Sequence, residues 1–95
     1  VLNNLKPIYK MKVQFTKSDL FDGMLIKKWQ SNNYYPVEKI NIVENGFIVS
    51  RQKIYNGELI YMAWSDNAET LEQILYRLNH NSYIITNNEN SNFYN

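Results

Sequence analysis

The chain has no cysteine, two prolines, three glycines and a single histidine in 95 residues. Without thiols it has no cysteine nucleophile, no disulfide framework and no thiolate zinc site. The one histidine, His80, has no second imidazole with which to share a metal. No apolar run approaches the ~18 residues of a membrane span, and Val1 to Lys10 contain neither a sustained apolar stretch nor a small-residue cleavage site. A nucleophile elbow, a phosphate-binding loop and a dinucleotide fingerprint are missing as well. The acids are spread along the chain instead of converging as a cation-binding nuclease would need. These absences predict a soluble protein that is not an enzyme, needs no cofactor and has no evident small-molecule substrate or membrane partner. The lack of cysteine fits a reducing cytoplasm.

What the chain does have is Asn, Ile, Lys and Tyr in abundance, a bias expected of an AT-rich bacterial, phage or plasmid genome. Met11 stands as an internal candidate start. Net charge is +1, which gives no global attraction to nucleic acid. The charge is nevertheless uneven. Six lysines through residue 30 face Asp19 and Asp22, giving +4, whereas four bases after residue 30 face seven acids, giving −3.

All three glycines follow an Asp or Asn, at Asp22-Gly23, Asn45-Gly46 and Asn56-Gly57. The last two lie between alternating apolar stretches, the signature of two-residue hairpin loops that need positive φ. A meander of three strands is therefore expected, at about Val37 to Glu44, Phe47 to Tyr55 and Glu58 to Trp64. Ahead of it, Ile8 to Phe15 alternates as a half-buried strand. Thr16-Lys17-Ser18-Asp19 reads as a capping box. With Leu20, Phe21, Met24, Leu25 and Trp29 at helical spacing, it predicts a helix to about Gln30. Asp22-Gly23 competes with that helix, since a turn there would make both flanks strands. A second helix is expected from Asp66 as N-cap, with Glu69 three residues on, to His80-Asn81, where His80 favours the helix dipole. Tyr83 to Thr86 is a last strand.

The fold class expected is thus α+β: a four- or five-stranded antiparallel sheet in the order β-α-β-β-β-α-β, with both helices packed on one face. Residues 1-86 form one domain and 87-95 a disordered polar tail. From strand, hairpin, strand and helix, with Thr70-Leu71-Glu72 near the helix start, the stretch from about 35 to 80 loosely resembles the antitoxin domains of the HicB type. That family's strand-ending Pro-Asp-Leu-Pro-Gly pattern is absent, so the likeness is one of topology and no function is carried over.

With two-residue loops, pairs summing to 91 face each other across the first hairpin and pairs summing to 113 across the second. One face then carries Ile40, Ile42, Phe47, Val49, Ile60, Met62 and Trp64, with Arg51 between Ile40 and Met62 and Glu38 opposite Lys53. It is the expected core side. The other face carries Lys39, Gln52 and Tyr61 in a row, with Val37, Ile54 and Leu59 towards the second turn. Lys39, Gln52, Tyr61, Ile54 and Leu59 are the candidate contact residues for a protein partner or a second copy of the chain. The alternative is single-stranded nucleic acid stacked on exposed tyrosines beside lysines, for which Lys10, Lys12, Tyr34 and Tyr35 are the further candidates. The acid pairs Asp19/Asp22 and Glu69/Glu72 sit where first helical turns are expected and are explained by the dipole.

Overall fold

The computed structural model describes residues 14–28, 36–87 and 89. Its elements are a 3-10 turn (Lys17–Asp19), β1 (Met24–Lys28), β2 (Glu38–Val43), β3 (Gly46–Tyr55), β4 (Glu58–Ala63), α1 (Leu71–His80) and β5 (Tyr83–Thr86). The strands form one antiparallel sheet in the order β4-β3-β2-β1-β5. The expected strand at Ile8 to Phe15 lies outside the described residues up to residue 13. Its last residue, Phe15, is buried in the core but belongs to no strand.

The helix expected over residues 16 to 30 does not form, so α1 is the one α-helix among the described residues. Its capping signal is real but initiates a single turn. The Thr16 amide donates to the Asp19 carboxylate (2.7 Å), and the Asp19 amide donates to the Thr16 carbonyl (3.0 Å). Leu20 then turns extended, and Gly23 takes φ +85 in a turn closed by the Met24 amide on the Phe21 carbonyl (3.2 Å). Tertiary bonds favour this outcome. The Gly23 amide reaches the Ile40 carbonyl (2.7 Å), while the Asp22 carboxylate accepts from the Ile42 amide (2.8 Å) and the Asn41 side chain (3.2 Å). A helix would forgo all three and carry an interior glycine costing about 1 kcal/mol. These bonds hold Asp22 below the usual carboxylate range, the Ile42 amide contributing most.

The second hairpin follows its expected register, from Tyr55↔Glu58 to Ser50↔Ala63, through a loop with Asn56 at φ 51 and Gly57 at φ 80. The first is offset. Its pairs sum to 89, Val43 faces Gly46, and the loop is Glu44-Asn45. The two faces survive, but Arg51 stands opposite Glu38 and Lys39 opposite Ser50. The cause is a contact the local pattern does not contain. Gly46 (φ 146) lies where a Cβ would collide with the Glu69 carbonyl, because Phe47 and Glu69 exchange backbone hydrogen bonds (2.9 and 2.8 Å).

Glu69 therefore belongs to a bridge and not to a helix start, and the N-cap is Thr70, four residues past the expected Asp66. The Thr70 hydroxyl accepts from the Gln73 amide (3.1 Å), and the Gln73 side chain accepts from the Thr70 amide (2.9 Å). At the other end the left-handed position falls to Ser82 (φ 56), with Asn81 at φ −101. His80 ends the helix stacked on Tyr76, ring centroids 4.9 Å apart. Ile74 and Leu78 point from α1 into a core of Phe15, Met24, Ile26, Ile40, Val49 and Tyr83. Asn79 ties the incoming chain to the helix, accepting from the Phe15 amide (2.6 Å) and donating to its carbonyl (3.1 Å).

The buried core beneath α1 draws on β5, β1, β2 and β3 through Tyr83, Met24, Ile26, Ile40 and Val49, and on no residue of β4 or of the turn end of β2. Ile42, Met62 and Trp64, expected in the core, are accordingly exposed.

Candidate functional site

The side chains that the sequence singles out on the face away from α1 do meet. The Lys39 ammonium sits 4.1 Å from the centre of the Tyr61 ring, and the Gln52 side-chain amide donates to the Tyr61 hydroxyl (3.1 Å). Gln52 also donates to the backbone carbonyl of Glu89, which brings the chain beyond β5 across to β3. Burial raises the Tyr61 phenol, and the nearby Glu89 pushes in the same direction. This row is therefore largely satisfied within the chain.

The same face is less open than its pattern implies. Val37, expected as an exposed contact, has no accessible surface, and Lys27 and Ser50 are buried beside it. Burial depresses the Lys27 ammonium. Towards the second turn the face is open, where Ile54 and Leu59 stand opposite each other and both are exposed. Lys10, Lys12, Tyr34 and Tyr35 lie outside the described residues.

On the helix side, a cleft of about 410 Å³ is lined by Lys28, Pro36, Glu38, Trp64, Arg77 and Tyr83. Glu38 is buried at its floor, one oxygen accepting from the Tyr83 hydroxyl (2.5 Å) and the other from the Trp64 indole N–H (2.5 Å). Burial and the Glu38 carboxylate raise the Tyr83 phenol far above its ordinary value, so it stays a donor. Arg77 is held by Glu69 through its Nε and one terminal nitrogen (3.1 and 2.5 Å). The Trp64 ring is half exposed, with the Arg51 guanidinium 5.4 Å from its centre. A carboxylate with two fixed donors is a structural tether. The sequence pattern missed this cluster. Its available signal was an acid, Glu38, at a core-facing position of an alternating strand, where a buried charge needs partners.

Half of the large exposed apolar side chains among the described residues lie on the β3–β4 hairpin or directly after it. Ile54 is 66 % exposed, Tyr55 59 %, Leu59 37 %, Met62 47 % and Trp64 52 %. Among the described residues no strand pairs with the outer edge of β4. That edge has six residues, Glu-Leu-Ile-Tyr-Met-Ala, with an unbroken register to β3 and neither a lysine, a proline nor a bulge. Natural edges are ordinarily blunted by such devices. The other edge, β5, is blunted by its length of four residues.

No protein family, no curated protein and no solved structure gives a significant match to this chain. The topological likeness to HicB-type antitoxins therefore brings no function with it. Among the described residues, no helix is long and apolar enough to cross a membrane, and no group of three His, Cys, Asp or Glu side chains converges as a metal site.

Proposed function

We propose that this chain is a small non-catalytic binding domain, a regulator from an AT-rich bacterium, phage or plasmid, that acts in the cytoplasm by engaging a protein through its β3–β4 hairpin. The observation that supports this reading is the cluster of Ile54, Tyr55, Leu59, Met62 and Trp64, all exposed on one hairpin with a free edge. Ile54 and Leu59 lie on the face away from α1 and Tyr55, Met62 and Trp64 on the α1 face, so they flank the free edge on both sides. Trp and Tyr, with Arg51 against the Trp64 ring, are the residue types that anchor protein interfaces. Of the residues expected from sequence, Ile54 and Leu59 belong to this surface. Tyr61 stands on the edge strand between Leu59 and Ala63 of the same face, with Gln52 and Lys39 behind it.

The single-stranded nucleic acid alternative has a weaker footing. The Lys39 ammonium already occupies a face of the Tyr61 ring, so a stacking base would have to displace it. Net charge is only +1. The deciding experiment is affinity capture from the source cell with the intact chain, the hairpin double variant Leu59→Asp/Met62→Asp and the remote surface variant Phe21→Asp. A bound protein is expected with the intact chain and with Phe21→Asp, and its loss with the double variant. Equal retention by all three overturns the hairpin as the binding surface, and salt-sensitive capture of an oligonucleotide instead would favour the alternative.

A further inference from the structure

Edge strand β4 is self-complementary, and we infer that its partner is a second copy of this chain, added antiparallel with the twofold axis at Tyr61. The inference rests on the hairpin being the binding surface and names its occupant.

The register follows from the ladder already present. The Trp64 amide bonds to the Val49 carbonyl (2.9 Å), and hydrogen-bonded pairs alternate along an antiparallel ladder. Residues 58, 60, 62 and 64 therefore turn their backbone groups towards β3, and Leu59, Tyr61 and Ala63 turn theirs outward. These three positions are symmetric about Tyr61. A twofold there pairs Tyr61 with its own copy and Leu59 with Ala63 of the other chain, so every outward N–H and C=O of β4 finds a partner.

The side chains agree with this register on both faces. Away from α1, Leu59 faces Ala63 across the axis and the two tyrosines face each other, with Gln52 behind each. On the α1 side, Ile60 faces Met62, and Glu58 faces Trp64. No like charges are opposed. Glu58, the one charge in β4, arrives beside the indole over which the other copy's Arg51 lies. The exposed Met62 and Leu59 become cross-strand partners of apolar residues, the pairing that stabilises sheets. Two five-stranded sheets join into one of ten strands with the unprotected edge removed.

The absence of native cysteine makes the test direct. In a hydrogen-bonded antiparallel pair the Cα atoms are about 5.5 Å apart, within the span of a short bis-maleimide, so Tyr61→Cys is expected to be cross-linked almost completely to a covalent dimer. In Glu58→Cys the two thiols would lie six residues out of register, roughly 20 Å apart, and no cross-link by the same reagent is expected. By light scattering the unmodified chain is expected at twice its 11.4 kDa mass at a concentration of about 0.1 mM. Tyr61→Lys, which places two like charges on the axis, is expected to halve that mass while keeping its circular dichroism. Mixing it with Tyr61→Asp is expected to restore the dimer. A monomeric parent chain, a folded Tyr61→Lys that remains dimeric, or equal cross-linking at positions 58 and 61 overturns the proposal. Should the chain be monomeric yet lose a captured protein on Leu59→Asp/Met62→Asp, the hairpin reading stands and only its occupant is wrong.

Discussion

The two halves of this sheet solve burial differently. On the β5–β1–β2 side, Ile26 and Ile40 lie beneath Ile74 and Leu78 of α1 with no accessible surface. Past Val49 of β3, which is still in this core, β4 runs beyond the helix, and Met62 and Trp64, which share its face, remain exposed. Alternation is equally regular in both halves, so it is coverage and not strand pattern that separates core from contact surface. The covered part makes the fold, and the uncovered edge is the surface we propose for a partner.

The comparison breaks most sharply under truncation. Ile74→Ala in the covered half is expected to cost about 2–5 kcal/mol, against a total stability of about 5–15 kcal/mol for such a domain. Met62→Ala on the hairpin is expected to stay within about 0.5 kcal/mol. Urea denaturation of both variants as monomers measures the difference. Comparable losses would mean that the hairpin is core after all.

How much of this division could be read from sequence depends on how far each determinant reaches. Asn56-Gly57 is local: both residues take positive φ, and the dipeptide alone sets loop and register. At Asn45-Gly46 the same signal misleads, because the glycine is required by the Glu69 backbone passing against it, a contact from 23 positions along the chain. Asp22-Gly23 loses its turn to a local capping box in any reading of the segment alone, and regains it only when the Ile40, Asn41 and Ile42 partners are counted. The alternation of β4 correctly says which side chains share a face. It says nothing of whether a helix is there to cover them, and so Trp64 was expected in the core. Of the proposed contact surface, the shared face of Ile54 and Leu59 is legible because they flank a correctly read turn.

Gly46 gives the next prediction in size. Gly46→Ala forces a methyl against the Glu69 backbone and is expected to cost about 1–3 kcal/mol as an overpacked contact. Gly57→Ala meets open space and is expected to cost only the left-handed backbone penalty, about 1–2 kcal/mol. If thermal unfolding ranks Gly57→Ala the worse, the Phe47–Glu69 bridge is not what fixes the first hairpin.

Glu38 is where the halves are joined, since one of its donors comes from the residue after β4 and the other from β5. Tyr83→Phe and Trp64→Phe should each leave this buried carboxylate a donor short, at about 1–3 kcal/mol. The loss for Trp64→Phe is expected at the lower end, because its indole is half exposed and water can replace the bond. With Glu38→Gln as the background, both losses are expected to shrink, and a double-mutant cycle reads the coupling. Additive losses would show that the tether does not bind hairpin to core.

The smallest effect concerns the turn that leads into the covered half. Hydrogen bonds from the Ile42 amide and the Asn41 side chain lower Asp22 below its ordinary 3.8. A carboxyl depressed in the folded state contributes stability in full above its unfolded value. The contribution is lost as pH falls from about 4 through the lower folded value. Asp22→Asn keeps an acceptor oxygen for the Ile42 amide but cannot ionise, so its unfolding midpoint should lie below that of the parent chain near neutrality and converge with it on acidification. Parallel curves for the two chains down to the most acidic condition would mean that charge on Asp22 does not hold the start of β1 to β2. The register of the covered half would then rest on the Gly23–Ile40 bond and on Met24 packing beneath the helix.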